Sequence, residues 1–137
     1  MSTIQKEKMA TTNFTNSKTV QARPDFYTTV NLDIAATLKS WKLSIFSYEW
    51  IDKDGAIKNI DALKESDQQK RQDVENALKT GQALDTPVLG IGIQDNVEIG
   101  SGKAVLCTLA AHGVQTIPVH IPKSNESDFK AFIADVK

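Results

Sequence analysis

The sequence predicts an α+β fold in a single compact domain, a small mixed sheet packed with helices. Three observations predict it. Ser66 to Thr80 carries Val74, Ala77 and Leu78 on one helical stripe among charged residues. Pro87 to Ile99 reads as strand, turn, strand. A glycine-rich turn then leads at once into the nearly all-apolar run Ala104 to His112, followed by the strand-like Thr116 to Ile121. With 137 residues, 40% of them hydrophobic, the chain supports one core and needs no covalent staple.

The elements follow in order. Residues 1–22 are rich in Ser, Thr, Asn and Lys and show neither apolar period, so they read as a flexible N-terminal arm preceding a domain over 23–137. Ile34, Leu38 and Trp41 stand at helical spacing, with Asn31 or Asp33 placed to cap the start. Leu43 to Ile51 (LSIFSYEWI) is dense in β-branched and aromatic residues. With the Lys53-Asp54-Gly55 turn and Ala56 to Ile60, it reads as a β-hairpin. Ser66 and Gln69 sit in capping-box positions and Gly81 suits a left-handed stop. Lys70 and Arg71 read as a solvated face beside Asp67, Asp73 and Glu75. Asp95-Asn96 is a tight turn, and Gly113 ends the apolar helix. Ser124 can cap a terminal helix lined by Phe129, Phe132, Ile133 and Val136.

Charge and cysteine count narrow the function classes. Sixteen Lys+Arg against 17 Asp+Glu give a net charge of −1, which removes the global attraction of a protein that coats DNA indiscriminately. A lone Cys107 excludes an intramolecular disulfide and fits a reducing compartment, and no Cys/His cluster suggests structural zinc. No apolar run reaches the length of a membrane span and Met1 to Lys18 contains no hydrophobic signal segment, so the expectation is a cytoplasmic protein with no membrane partner.

One stretch has chemical content. A strand through Val97-Glu98-Ile99 into Gly100-Ser101-Gly102-Lys103 and on into a helix gathers unpaired backbone N–H groups and about half a positive charge of helix dipole at one point. The glycines let a phosphate approach the backbone, Ser101 offers a hydroxyl, and Lys103 adds a full charge in the first turn. A Walker A loop would need Gly at Val97 and Ser or Thr at Ala104, so ordinary P-loop enzymes are set aside. The same Gly-Ser-Gly entry also makes a good helix cap with no ligand. Lys103, on the unfavourable end of the dipole, favours an anion there.

The order strand, turn, strand, Gly-x-x-basic, apolar helix, Gly, Thr-Ile-Pro-Val resembles the ParB/sulfiredoxin-like superfamily. The match runs from Val97-Glu98-Ile99-Gly100-Ser101-Gly102-Lys103 through Leu109-Ala110-Ala111-His112-Gly113 to Thr116-Ile117-Pro118-Val119, within Pro87 to Ile121. In that family, which includes plasmid-partition proteins, sulfiredoxins, nucleotide-dependent kinases and nuclease-like proteins, the Gly-x-x-Arg turn holds nucleotide or DNA-linked phosphate. The resemblance therefore implies phosphate binding at Gly100, Ser101, Gly102 and Lys103, by a nucleotide with Mg²⁺ or a nucleic-acid backbone. Lys103 replaces the family's arginine and forfeits its bidentate fork, and Ile99 stands where many members are acidic. Ser101 stands where sulfiredoxins place their cysteine, which argues against sulfinic-acid repair. No catalytic residue is assigned. The alternative is a non-enzymatic adaptor or regulator of plasmid or phage origin that acts through protein contacts.

Other chemistry-bearing residues have plainer readings. Cys107, within an Ala-Leu-Val helix, reads as core rather than nucleophile. His112 suits a helix C-terminus, and His120, alternating with Val119 and Ile121, is expected to face solvent or a cleft rim. Asp95 and Glu98 offer hard oxygen ligands to a Mg²⁺ beside a nucleotide, although a turn explains Asp95 without a metal. Glu49 is the remaining general-base candidate. Trp41, Tyr48 and Trp50 can stack on a base or fill the core.

Overall fold

The computed structural model describes residues 13–134. Four strands, β2 (Tyr27–Asp33), β4 (Val88–Ile91), β5 (Val97–Ser101) and β6 (Thr116–Pro122), form a mixed sheet in the order β2-β6-β4-β5. β6 runs antiparallel to β2 from Tyr27↔Pro122 to Asp33↔Thr116 and parallel to β4 at Val88↔His120, while β4 and β5 form an antiparallel hairpin. A two-stranded parallel pair, β1 (Phe14–Thr15) with β3 (Leu84–Asp85), stands apart from that sheet. Helices α1 (Lys18–Ala22), α2 (Ile34–Trp41), α3 (Glu65–Thr80) and α4 (Lys103–Ala111) complete the described chain, together with short 3₁₀ turns. Among the described residues, no helix is long and apolar enough to cross a membrane.

The helices form where the apolar spacing places them. Asp33 caps α2, its Oδ2 accepting from the Ala36 N–H at 2.9 Å, and buries Ile34, Leu38 and Trp41 on one face. Gly81 stops α3 in the left-handed region at φ +74°. The expected capping box is not made there: Lys64 occupies the N-cap without a side-chain bond, and Gln68 instead donates to the Leu63 carbonyl. α4 packs on α3, and its Leu106, Cys107 and Leu109 join the strand residues Leu32, Leu89, Val97, Ile117, Val119 and Ile121 in the core.

Three expected elements take another form. β2 went unread because only Leu32 of its seven residues is fully buried, which leaves little apolar period to read. The LSIFSYEWI segment is not a strand but a run of turns, and of its hairpin only the bridge Ile51↔Ile57 and the turn remain, with Asp52 Oδ1 accepting from the Asp54 and Ala56 amides. The C-terminal segment forms 3₁₀ turns over Lys123–Asn125 and Ser127–Phe132 rather than an α-helix. These still seat Phe129 in the core and lay Ile133 beside Leu32. Val136 lies outside the described residues.

Part of the segment read as an arm is structured. Residues 1–12 lie outside the description, but Phe14 pairs with Leu84, Val20 is buried, and Asn16 reaches the sheet. Ile117, Val119 and Ile121 alternate toward the core, so His120 lies on the opposite face of β6. There its Nε2–H donates to Asn16 Oδ1 at 3.1 Å, and its Nδ1 accepts from the Thr29 hydroxyl at 2.9 Å. His120 is therefore buried and bonded rather than at a solvent-facing rim.

Burial holds the His120 imidazole below its ordinary pKa, because desolvation penalises the charged ring. The neutral-ring stability is complete above the unfolded value of about 6.5 and is lost as the pH falls toward and through the folded value. The urea midpoint should therefore fall between pH 7.5 and 5.5, and His120→Gln should flatten that decline. An unchanged slope in the variant would remove His120 as its source.

Candidate functional site

At the predicted anion turn the backbone is shaped by the protein itself. Gly100 and Ser101 are the last residues of β5, with Ser101 registered against Val88. Gly102 is the N-cap of α4 in the left-handed region at φ +88°, no side chain caps the helix, and its carbonyl accepts the Leu106 amide at 3.0 Å. A Cβ on Gly102 would lie 2.7 Å from Pro87 Cα and 2.9 Å from Pro87 Cβ, so the glycine is required by a neighbouring proline. Gly100 is less constrained, with only the Val88 carbonyl oxygen, 3.3 Å from where its Cβ would be, in tight contact. The turn brings Lys103 and the uncapped start of α4 together, while Ser101 stays exposed at the strand end.

Lys103 is half-buried, and its charge acts on Glu49. The Glu49 carboxylate accepts from Lys64 Nζ at 2.9 Å and is held below its usual range, first by that bond and further by Lys103 and Lys70. A carboxylate so stabilised makes a poor general base. Asp95 sits exposed in the hairpin turn at φ +61°, whereas Glu98 is engaged, its Oε1 accepting from the Ser44 hydroxyl at 2.6 Å and its Oε2 from Asn96 at 3.1 Å. Asp95 and Glu98 thus do not converge as ligands. Among the described residues no group of three or more His, Cys, Asp or Glu is arranged to hold a metal.

The remaining candidates are placed by packing. Cys107 is fully buried and its thiol is pushed up to about 12 by desolvation, so no thiolate nucleophile is available. Arg71 is not on a solvated face: its side chain is largely covered and its Nε donates to Glu75 Oε2 at 2.9 Å. Glu75 Oε1 also meets His112 Nε2 at 2.7 Å, tying α3 to the end of α4. Burial raises the Glu75 pKa, but the bonds from Arg71 and His112 outweigh it and hold the carboxyl below its ordinary value. Beside this pair lies an open cleft of about 750 Å³, lined by Ile57, Lys58, Arg71, Glu75, Lys79 and Ala110 among others.

The most unusual surface was not anticipated by sequence reasoning. Between Trp41 and Trp50, each 1% exposed, the chain climbs by bonds of three-residue span: Ser44 N–H to Trp41 O, Ser47 N–H to Ser44 O, Trp50 N–H to Ser47 O. Only Ser47–Glu49 is a regular 3₁₀ turn, but every third residue from Trp41 to Trp50 is buried, so Trp41, Ser44, Ser47 and Trp50 form one inward-facing column along the chain. Ser44 and Ser47 are 6% and 4% exposed, while Leu43, Ile45, Phe46 and Tyr48 are 66%, 76%, 56% and 66% exposed. The usual order is inverted, with hydroxyls inside and large apolar groups outside. The inner hydroxyls are satisfied: Ser47 donates to the backbone of this loop, and Ser44 donates to Glu98 and accepts from the Phe46 amide. Glu98 and Asn96 carry the support to the β4–β5 hairpin, whose turn leaves Ile93 fully exposed. The three-residue spacing of Trp, Ser, Ser and Trp was the available signal.

Comparison with protein-family models, with curated proteins and with solved structures finds no match for this chain.

Gly102→Ala should cost about 2–4 kcal/mol, because it adds a left-handed strain to an overlap with Pro87. Gly113→Ala, at φ +81° with nothing within 4 Å, should cost only the backbone share, about 1 kcal/mol. Urea unfolding of both checks the difference; equal losses would mean that Pro87 does not constrain the turn.

Proposed function

We propose that this domain is a non-enzymatic interaction module that acts through protein contacts and presents residues 43–48 as its contact platform. The observation carrying the reading is the inverted loop, in which four large apolar side chains face solvent on a backbone held by two buried tryptophans and two bonded serines. Contiguous exposed apolar surface on an otherwise ordinary domain marks a contact site. A loop held in this way gives up little further entropy on docking. Fully burying one such side chain is worth about 1.5–3 kcal/mol, so covering the exposed part of all four yields on the order of 5 kcal/mol. That sum is at the low end of the roughly 4–15 kcal/mol cost of association, so polar contacts must supply the remainder. An adaptor of plasmid or phage origin in the cytoplasm fits this reading.

A second reading keeps the ParB/sulfiredoxin-like resemblance and places a phosphate, from a nucleotide with Mg²⁺ or a nucleic-acid backbone, at Gly100 to Lys103. The α4 start without a side-chain cap beside Lys103 favours it. The Pro87 contact weakens it, since it accounts for Gly102 without any ligand.

Two measurements separate the readings. Purified from its native source, the wild type should bring down a stoichiometric protein partner that Lys103→Ala retains and Ile45→Ser/Phe46→Ser loses; recovery of no partner would count against the module. In a thermal-shift series with nucleotides and inorganic phosphate, with and without Mg²⁺, the phosphate reading requires a rise in Tm that Lys103→Ala abolishes. If no compound moves the wild-type Tm, that reading is removed.

A further inference from the structure

We infer that the outer edge of β2 is a self-pairing surface: two copies of this chain join antiparallel through Tyr27, Thr28 and Thr29, about a two-fold axis at Thr28, and extend the sheet from four strands to eight. In the order β2-β6-β4-β5, β2 is the edge remote from β5, whose Glu98 supports residues 43–48. The inference is therefore independent of the contact-platform reading.

Two bonds fix the direction of each backbone group on β2. The His120 N–H donates to the Pro87 carbonyl at 2.9 Å, away from β2, so Thr29 opposite it turns its own N–H and C=O away from β6. Alternation gives Tyr27 and Asn31 the same outward direction, and on that side the Asn31 carbonyl accepts the Ala134 amide at 2.9 Å. Ala134, with Ile133 bridged to Leu32, thus covers one end of the edge. Among the described residues no backbone group bonds to the outward N–H or C=O of Tyr27 or Thr29. This open window also lacks the usual protections of an edge strand: Tyr27, Thr28, Thr29 and Val30 include no charge and no proline, and the register with β6 has no bulge.

The window is complementary to itself. Tyr27 and Thr29 are two residues apart, so pairing Tyr27 of each copy with Thr29 of the other satisfies every outward group that is open on both strands. The antiparallel arrangement is also the one that a closed two-fold dimer requires. Phe26, 41% exposed, and Ile133, 42% exposed, stand at opposite ends of the window. Reversing one strand against the other brings Phe26 of each copy toward Ile133 of the second, so both solvent-facing apolar groups gain cover. Any extended peptide could take the same backbone bonds; the matched apolar ends favour a second copy.

Sedimentation velocity of the full chain over a concentration series should show a monomer–dimer equilibrium. Phe26→Ser/Ile133→Ser should raise the dimer Kd about tenfold. Thr29→Pro removes an outward N–H without breaking a bond to β6 and should abolish the dimer. Ile45→Ser/Phe46→Ser, on the platform, should leave it unchanged. Thr29→Pro also loses the hydroxyl bonded to His120, so a cross-link supplies a readout that does not depend on that variant's stability. Thr28→Cys should form an intermolecular disulfide across the axis under mild oxidation, because opposed residues of a non-hydrogen-bonded pair have Cα atoms about 4.5 Å apart. Lys53→Cys, exposed in its turn, should not, and the native Cys107 is buried. A wild type that stays monomeric at every concentration overturns the inference; if deletion of residues 135–137 then produces the dimer, the chain's own C-terminal residues are the occupant of the edge. A dimer that survives both edge variants and dissociates with Ile45→Ser/Phe46→Ser also overturns it, and assigns self-association to the platform.

Discussion

The column Trp41, Ser44, Ser47, Trp50 is the constraint on which the exposed surface depends. Two large indoles anchor the ends of a ten-residue path, and three-residue hydrogen-bond spacing leaves only one position in three facing inward. The space between the anchors takes serine, whose short side chain bonds back to the chain or to Glu98. A leucine or phenylalanine in those inner places would overpack the column, and at position 44 it would take the hydroxyl donor from Glu98 Oε1. The two solvent-facing positions of each turn then hold the large apolar residues by default. Exposure of Leu43, Ile45, Phe46 and Tyr48 is thus a geometric consequence of the anchors, in a form a partner can use.

The hairpin and the helix that follows it are organised around the same support. Glu98 on β5 reaches Ser44 on one side and Asn96 on the other, while the Val97 amide donates to Ser40 Oγ at the end of α2. β5 therefore does not present a bare edge where it meets α2. Its far end closes on Pro87 at Gly102, which sets the direction in which α4 enters the core. The glycine-rich turn has a packing role whether or not an anion ever visits it. Lys103, just inside the helix, also helps through its charge to lower the Glu49 pKa.

The opposite face of the sheet has a separate arrangement. Asn16, Thr29 and His120 form a polar bridge where the apolar alternation of β6 points away, and Val20 is buried outside the main core. The first half of the chain's polar beginning lies outside the described residues, but the second half is held by this bridge and by the strand pair with Leu84 and Asp85. Such a segment has too little apolar surface to order itself; the partners it needs are contributed by β6 and β3, about seventy to one hundred residues away.

Much of the fold was legible in residue order. Ile34, Leu38 and Trp41 behind Asp33 specify a capped helix, Gly81 and Gly113 specify its successors' ends, and Pro87 to Ile99 with Asp95-Asn96 specifies a hairpin, because each depends on neighbours within a few residues. The residues of the predicted anion turn were placed in order, but their conformation was not: Pro87 decides what Gly102 must be, and that contact is absent from any local pattern. β2 was hidden for the same reason, since its pairing with β6 spans most of the chain and buries only one of its side chains completely. The stretch from Leu43 to Ile51 shows the boundary most sharply. Its composition determined that it would carry large apolar groups, and the spacing of its tryptophans and serines was there to read. Whether those groups turn inward or outward was decided by the tertiary structure, because only the packing of both indoles and the bond to Glu98 selects a three-residue rise over the two-residue alternation of a strand.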